Sequence, residues 1–125
     1  MSKKLDDDST LPKDFYERPV SENSRKYDEV ALDKLKIEIL NLIAKEKCND
    51  VQEWSFSSLG IKPCGGAASY IAYPLVLENT ILPKIQNYNE LQDEFNKKYE
   101  LTSDCNVERV PTGVRCQKGH PVLVY

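Results

Sequence analysis

The chain has 125 residues, 40% hydrophobic and 30% charged, with a net charge of −3. That balance fits a folded globular chain of one domain, and the acid excess gives no general pull toward nucleic acid. No apolar run approaches the ~18 residues of a membrane span, and no basic stretch leads into an apolar one, so the sequence reads as one without a signal peptide.

Residues 1–26, "MSKKLDDDSTLPKDFYERPVSENSRK", read as a flexible N-terminal tether. They are polar, carry two prolines and show neither helical nor strand periodicity. Such a composition cannot bury enough surface to offset its ordering entropy. Phe15 and Tyr16 can pin part of it to the domain. Asp6, Asp7 and Asp8 read as a solvated acidic run. Residues 27–125 are expected to form a single α+β domain.

The first strong helix is expected over 27–47. Leu32, Leu35, Ile39, Leu42 and Ile43 recur at three- and four-residue steps. Ile37, Leu40 and Ala44 widen the stripe, which predicts cover on more than one side. Asp28 and Glu29 suit the first turn and Lys45 and Lys47 the last, complementing the helix dipole. Ser24 or Asp28 can cap it.

Two strands are expected next, over 54–57 and 69–73. Trp54 and Phe56 share one strand face, and "SYIAYPLV" is rich in aromatic and β-branched residues. Between them Gly60, Pro63, Gly65 and Gly66 punctuate a turn region. A second helix is expected over 79–101, capped by Asn79 or Thr80. Its stripes are Ile81, Leu82, Ile85 and Tyr88, then Leu91, Phe95 and Tyr99. "NELQ" at 89–92 reads as a capping box, predicting a kink or restart near Tyr88. The C-terminal third is strand-like: 107–110, 114–117 and 121–125, with turns at Pro111-Thr112-Gly113 and Lys118-Gly119. The fold class is therefore α+β: two helical segments packed on a small antiparallel β-sheet of four or five short strands, disulfide-stabilised.

Four cysteines, Cys48, Cys64, Cys105 and Cys116, permit two bridges and three pairings. Short separations favour Cys48–Cys64 and Cys105–Cys116. If the first helix end docks on the C-terminal hairpin instead, Cys48–Cys116 or Cys64–Cys116 wins. No two cysteines form a close pair of the kind a zinc knuckle needs, and His120 is the sole histidine, so no metal is expected. Disulfides imply an oxidising compartment.

Catalytic chemistry finds little footing. His120 lies in a predicted turn beside glycine and proline, and bridged cysteines cannot act as nucleophiles. Asp33, Glu38, Glu46, Glu90, Asp93 and Glu94 read as surface charge beside lysines. Asp104 and Glu108 are less ordinary, being close to Cys105. "PCGGAAS" lacks the spacing of a phosphate-binding loop, so it reads as a tight turn pinned by Cys64. The expectation is a protein that is not an enzyme and uses no cofactor.

Binding is the favoured class, with another protein as partner. A Cys105–Cys116 bridge would close "NVERVPTGVR", a loop stabilised by roughly 3 kcal/mol in the chain-entropy model. Arg109, Pro111, Gly113 and Arg115 lie on it, and arginine is common at binding hot spots. Inhibition of a hydrolase or neutralisation of a toxin would suit such a module. The alternative is a small-ligand or glycan-binding domain, or a cryptic enzyme, using an aromatic groove at Trp54, Tyr70 and Tyr73.

Two resemblances add to this. "SKKLDDDS" resembles the mature N-terminus of surface lipoproteins from some Gram-negative bacteria, where a lipidated cysteine precedes a Ser/Lys/Asp-rich export signal. Met1 stands where that cysteine would be. The order "EW-F---G-KPCGG---YIAY", "FNKKY-L-SDC", "P--V-C--G-PVLVY", over residues 48–125, resembles small exported proteins of the same group. These resemblances imply a periplasmic or cell-surface location and an N-terminal lipid anchor in the native precursor. They imply no catalytic residue.

Overall fold

The computed structural model describes residues 22–125. Residues 1–21 lie outside the described part, and with them the acidic run, Phe15, Tyr16 and the export-signal-like stretch. Helix α1 (Glu22–Ala44) is followed by strands β1 (Trp54–Ile61) and β2 (Ala67–Pro74), helix α2 (Glu78–Lys98), and strands β3 (Gly113–Gln117) and β4 (His120–Val124). The fold is α+β. The strands form two separate two-stranded antiparallel sheets, β1–β2 and β3–β4, rather than one sheet of four or five. β1 lies against β3 and β2 against β4, so the hairpins pack on each other without sharing a ladder.

α1 begins five residues before the expected Tyr27 and ends at Ala44. Lys45 and Lys47 therefore lie past its last turn. Leu32, Leu35, Ile39 and Ile43 are buried as their spacing requires, and Leu42 packs against them. Burying each such side chain contributes about 1.5–3 kcal/mol relative to leaving it in water. Ile37 and Leu40 do not join them. They are 53% and 41% exposed, so among the described residues the helix is covered on one side.

Asp28 and Ser24 are not caps. Both are buried inside the helix, facing the end of α2. Asp28 Oδ2 accepts hydrogen bonds from Lys98 Nζ at 2.9 Å and from Tyr99 Oη, and Ser24 Oγ lies 3.2 Å from the same phenol. At the other end, Lys84 Nζ meets Glu38 Oε2 at 2.6 Å. The two contacts fix α1 and α2 as antiparallel neighbours.

α2 runs unbroken through Tyr88. The expected capping box fails because Asn89 is recruited elsewhere: its Oδ1 accepts the Gly60 amide of β1 at 2.6 Å. Seven residues on, buried Asn96 donates to the Ile61 carbonyl at 2.7 Å. Asn96 is held by Gln92, and Gln92 accepts from the Tyr88 hydroxyl, one helical turn apart each time. Burial raises the Tyr88 phenol above its ordinary pKa, with the nearby Asp33 carboxylate adding to it. Gly60 has φ +87°, and a Cβ there would sit 3.2 Å from the Ala68 Cβ. Glycine is thus required where the strand meets the helix. At its N-terminus α2 has no side-chain cap; neither Asn79 nor Thr80 serves.

The 63–66 turn forms as expected, with Gly65 and Gly66 both at positive φ and the Lys62 amide bonded to the Gly66 carbonyl at 3.0 Å. β1 and β2 are each longer than expected. Lys118 and Gly119 both adopt positive φ between the paired residues Gln117 and His120, as a two-residue I′ hairpin demands. The expected strand at 107–110 is absent: residues 99–112 are irregular.

Neither favoured disulfide forms. The bridges are Cys48–Cys116 and Cys64–Cys105, with Cα separations of 5.2 and 5.5 Å. The Cys48 amide donates to the Gly119 carbonyl at 2.9 Å, so the segment after α1 docks on the β3–β4 turn. That brings Cys116 to Cys48 across 68 positions, and proximity along the chain counts for nothing. The core gathers α1, α2, Trp54, Leu59, Ala72, Tyr73 and Cys48, with Val114, Cys116 and Leu123 of the second hairpin against it.

Candidate functional site

The segment 99–112 carries the most exposed large apolar side chain among the described residues, Val107, and is tied down by several side-chain clamps. It starts from a well-made helix end. Glu100 takes φ +49°, its amide bonds the Lys97 carbonyl, and the Leu101 amide bonds the Asn96 carbonyl at 2.9 Å. This is the Schellman arrangement, with glutamate at the left-handed position glycine usually takes. Leu101 then packs on the core.

Lys62 organises the next stretch. It lies at the tip of the β1–β2 hairpin, two residues from Cys64. Its ammonium has three protons to donate. It meets Asp104 Oδ1 at 3.1 Å, the Asn106 carbonyl at 2.7 Å and Glu108 Oε2 at 3.0 Å. Asp104 Oδ1 also accepts the Asn106 amide at 3.0 Å, closing a local turn. Its hydrogen bonds to the Glu108 and Asp104 carboxylates raise the Lys62 pKa above the ordinary lysine value. The same ammonium, then the Asn106 amide, holds the Asp104 carboxyl below the ordinary aspartate value. The Cys64–Cys105 bridge sits in the middle of this clamp.

The segment is fixed again farther along. The Arg109 guanidinium lies 5.6 Å from the centroid of the Tyr125 ring. Pro111 is buried, and Thr112 bonds the Val124 carbonyl through its amide at 2.7 Å. Between these fixed points Val107 is 91% exposed and Val110 is 55% exposed. A cleft of about 380 Å³ opens beside them, lined by Ala68, Ser69, Tyr70, Glu108, Arg109 and Tyr125.

The residues singled out in the sequence are thus divided. Arg109 and Tyr70 line one cleft, although 39 positions apart, and Tyr70 is half-buried with its ring edge-on to Phe56 at 6.4 Å. Pro111 anchors the segment rather than facing a partner. Gly113 opens β3 opposite Val124, and Arg115 is exposed opposite Val122, outside the cleft. Trp54 and Tyr73 are 6% and 4% exposed and belong to the core. Burial raises the Tyr73 phenol above its ordinary pKa, and its hydroxyl donates to Glu78 at 3.0 Å. Neither ring joins Tyr70 in its cleft; Trp54 instead lines a separate concavity of about 450 Å³ with Pro74, Leu75 and Val76. His120 is exposed opposite Gln117.

Lys62, Val107 and Tyr125 were not singled out by sequence reasoning. Lysine two positions before one cysteine and aspartate just before another is a usable signal, but only once Cys64 and Cys105 are known to pair. Asp104 and Glu108 do stand apart from the surface carboxylates, yet both are spent on Lys62. Among the described residues no three His, Cys, Asp or Glu side chains gather as a cation site would need, and no helix is long and apolar enough to cross a membrane. Two disulfides are the chemistry of an oxidising compartment. In comparisons with known proteins, no family model matches the chain, and no curated protein or solved structure matches it.

Proposed function

We propose that this chain is a non-enzymatic protein-binding module of an oxidising compartment, acting through residues 104–111. The observation that carries the reading is Val107: a valine 91% exposed on an irregular segment clamped on both sides. Exposed apolar side chains on a rigid loop favour association, because the ordering entropy was already met on folding. Arg109 beside Tyr125 supplies the arginine–aromatic pairing common at hot spots. The bacterial cell surface or periplasm is the location that the resemblances in the sequence support. Inhibition of a hydrolase or neutralisation of a toxin is the role such a module would fill. A second reading rests on the Tyr70–Tyr125 cleft as a seat for a small ligand or glycan, with Trp54 and Tyr73 no longer part of it.

The test is capture from extracytoplasmic extract with the oxidised chain, alongside Val107→Asp and Arg109→Ala. The captured protein is identified and its affinity measured by calorimetry. Loss of a hot-spot residue should weaken binding about 30-fold or more, with thermal stability unchanged. Equal capture by all three chains would overturn the loop as the binding element. Turnover of a substrate by the purified protein would overturn the non-enzymatic reading.

A further inference from the structure

A second concavity lies away from the clamped loop, between β1 and α2. It measures about 470 Å³. Its origin is a change in side-chain size along β1. Toward the C-terminal end of the strand, Asn89 and Asn96 bond the backbone at Gly60 and Ile61 and hold helix to strand. At Ser57 the strand offers only a hydroxymethyl group opposite Leu82 and Ile85, and the gap stays open. Ile85 is buried at its floor, with Leu82 and Ile61 half-buried on its walls.

Its rim is acidic. Glu90 and Asp93 line it, and Glu94 follows on the same helix. Three carboxylates therefore stand on this face of the helix against one ammonium group, that of Lys97. The Asp93–Lys97 pair, at 3.1 Å, is a solvent-exposed i,i+4 contact of the kind that contributes little and exchanges readily. The hydrogen bond to Asp93, with the nearby Glu94 charge, holds Lys97 above the ordinary lysine value, which agrees with a local negative field.

We infer that this groove seats an apolar side chain from a cationic segment of a partner protein, in which leucine-like residues alternate with lysine or arginine. The apolar floor supplies affinity, and the surplus carboxylates on the rim select for flanking positive charge. The site is independent of the loop proposed above.

The experiment titrates the full, oxidised, isotope-labelled chain with a short alternating leucine–lysine peptide, followed by amide NMR. A leucine–glutamate peptide of equal length is the control. The lysine peptide should shift the amides of Ile61, Ile85, Glu90 and Asp93, and the effect should fade with salt. The glutamate peptide should leave them in place. Glu90→Lys should weaken binding about fivefold, as reversing one rim charge implies. Ser57→Leu fills the groove and should abolish the shifts; circular dichroism checks that this variant folds. Val107→Asp and Arg109→Ala should change nothing here, so the two readings fail separately. Equal shifts with the glutamate peptide, shifts mapping elsewhere, or unchanged binding by a folded Ser57→Leu chain would each overturn the inference.

Discussion

The two disulfides of this molecule staple very different regions. Cys48–Cys116 is a core staple: Cys48 is 1% exposed and belongs to the cluster built by α1 and α2. Cys64–Cys105 is a surface staple, with both cysteines exposed, joining a hairpin tip to an irregular segment. Their sequence separations are 68 and 41, so chain entropy assigns about 4 kcal/mol to each. The difference lies in what the native state does without them. Around Cys48 the surrounding packing holds the chain in place. Around Cys105 the chain regains freedom. One bridge therefore serves the fold and the other serves the placement of exposed residues.

The sharpest way to break this contrast is to remove each bridge in turn. Cys48→Ser with Cys116→Ser should cost about 4 kcal/mol or more, since lost chain constraint is joined by polar hydroxyls in an apolar cluster. Denaturant unfolding should show a lower midpoint for the whole chain. Cys64→Ser with Cys105→Ser should cost less, because the freed segment recovers native-state entropy. Its main effect should be faster amide exchange over 102–110. Equal losses of stability would erase the distinction.

Partial reduction sharpens it kinetically. Thiol–disulfide exchange requires access of the attacking thiolate to sulfur. Under limiting dithiol, alkylation and mass mapping should find Cys64 and Cys105 labelled well before Cys48 and Cys116. Labelling of all four together would mean that the core opens as readily as the surface.

The smallest effect is electrostatic. Asp104 has a depressed pKa, so its contribution is present above the ordinary aspartate value of about 3.9 and is lost as pH falls through the lower folded value. Lys62 has a raised pKa, so its contribution is present below the ordinary lysine value of about 10.4 and is lost as pH rises through the higher folded value. Amide exchange at 104–108 should thus be slowest across neutral pH and should quicken at both extremes, once corrected for intrinsic rates. Lys62→Met should remove both limbs while leaving the unfolding midpoint nearly unchanged. A profile identical to that of the parent chain would rule out Lys62 as the clamp.

Much of the fold was legible because it is local. The three- and four-residue spacing of Leu32, Leu35, Ile39 and Ile43 placed the buried face of α1. The aromatic and β-branched run at 69–73 placed β2, and Lys118-Gly119 placed the last turn. Val107 and Val110 misled, because β-propensity needs a partner strand and none of the described strands pairs with them. Asp28 misled for a similar reason. A carboxylate near a helix start reads as a dipole partner until Lys98 and Tyr99 arrive from 70 residues away. Of the candidate site, Arg109 and Tyr70 were visible as residue types. Their sharing of one cleft was not.

By itself the sequence determined the helices, the hairpin turns, the α+β class and the presence of paired cysteines. Periodicity and turn chemistry act over a few residues, and each segment carries its own signal. Only the tertiary structure decided which cysteines meet, which tyrosine is core and which lines a cleft, and which lysine clamps the exposed segment. Those choices depend on contacts 40 to 75 positions apart, from Lys62 and Asp104 to Ser24 and Tyr99. Their energies depend on burial and on neighbours, and both come into being only when the helices and hairpins pack together.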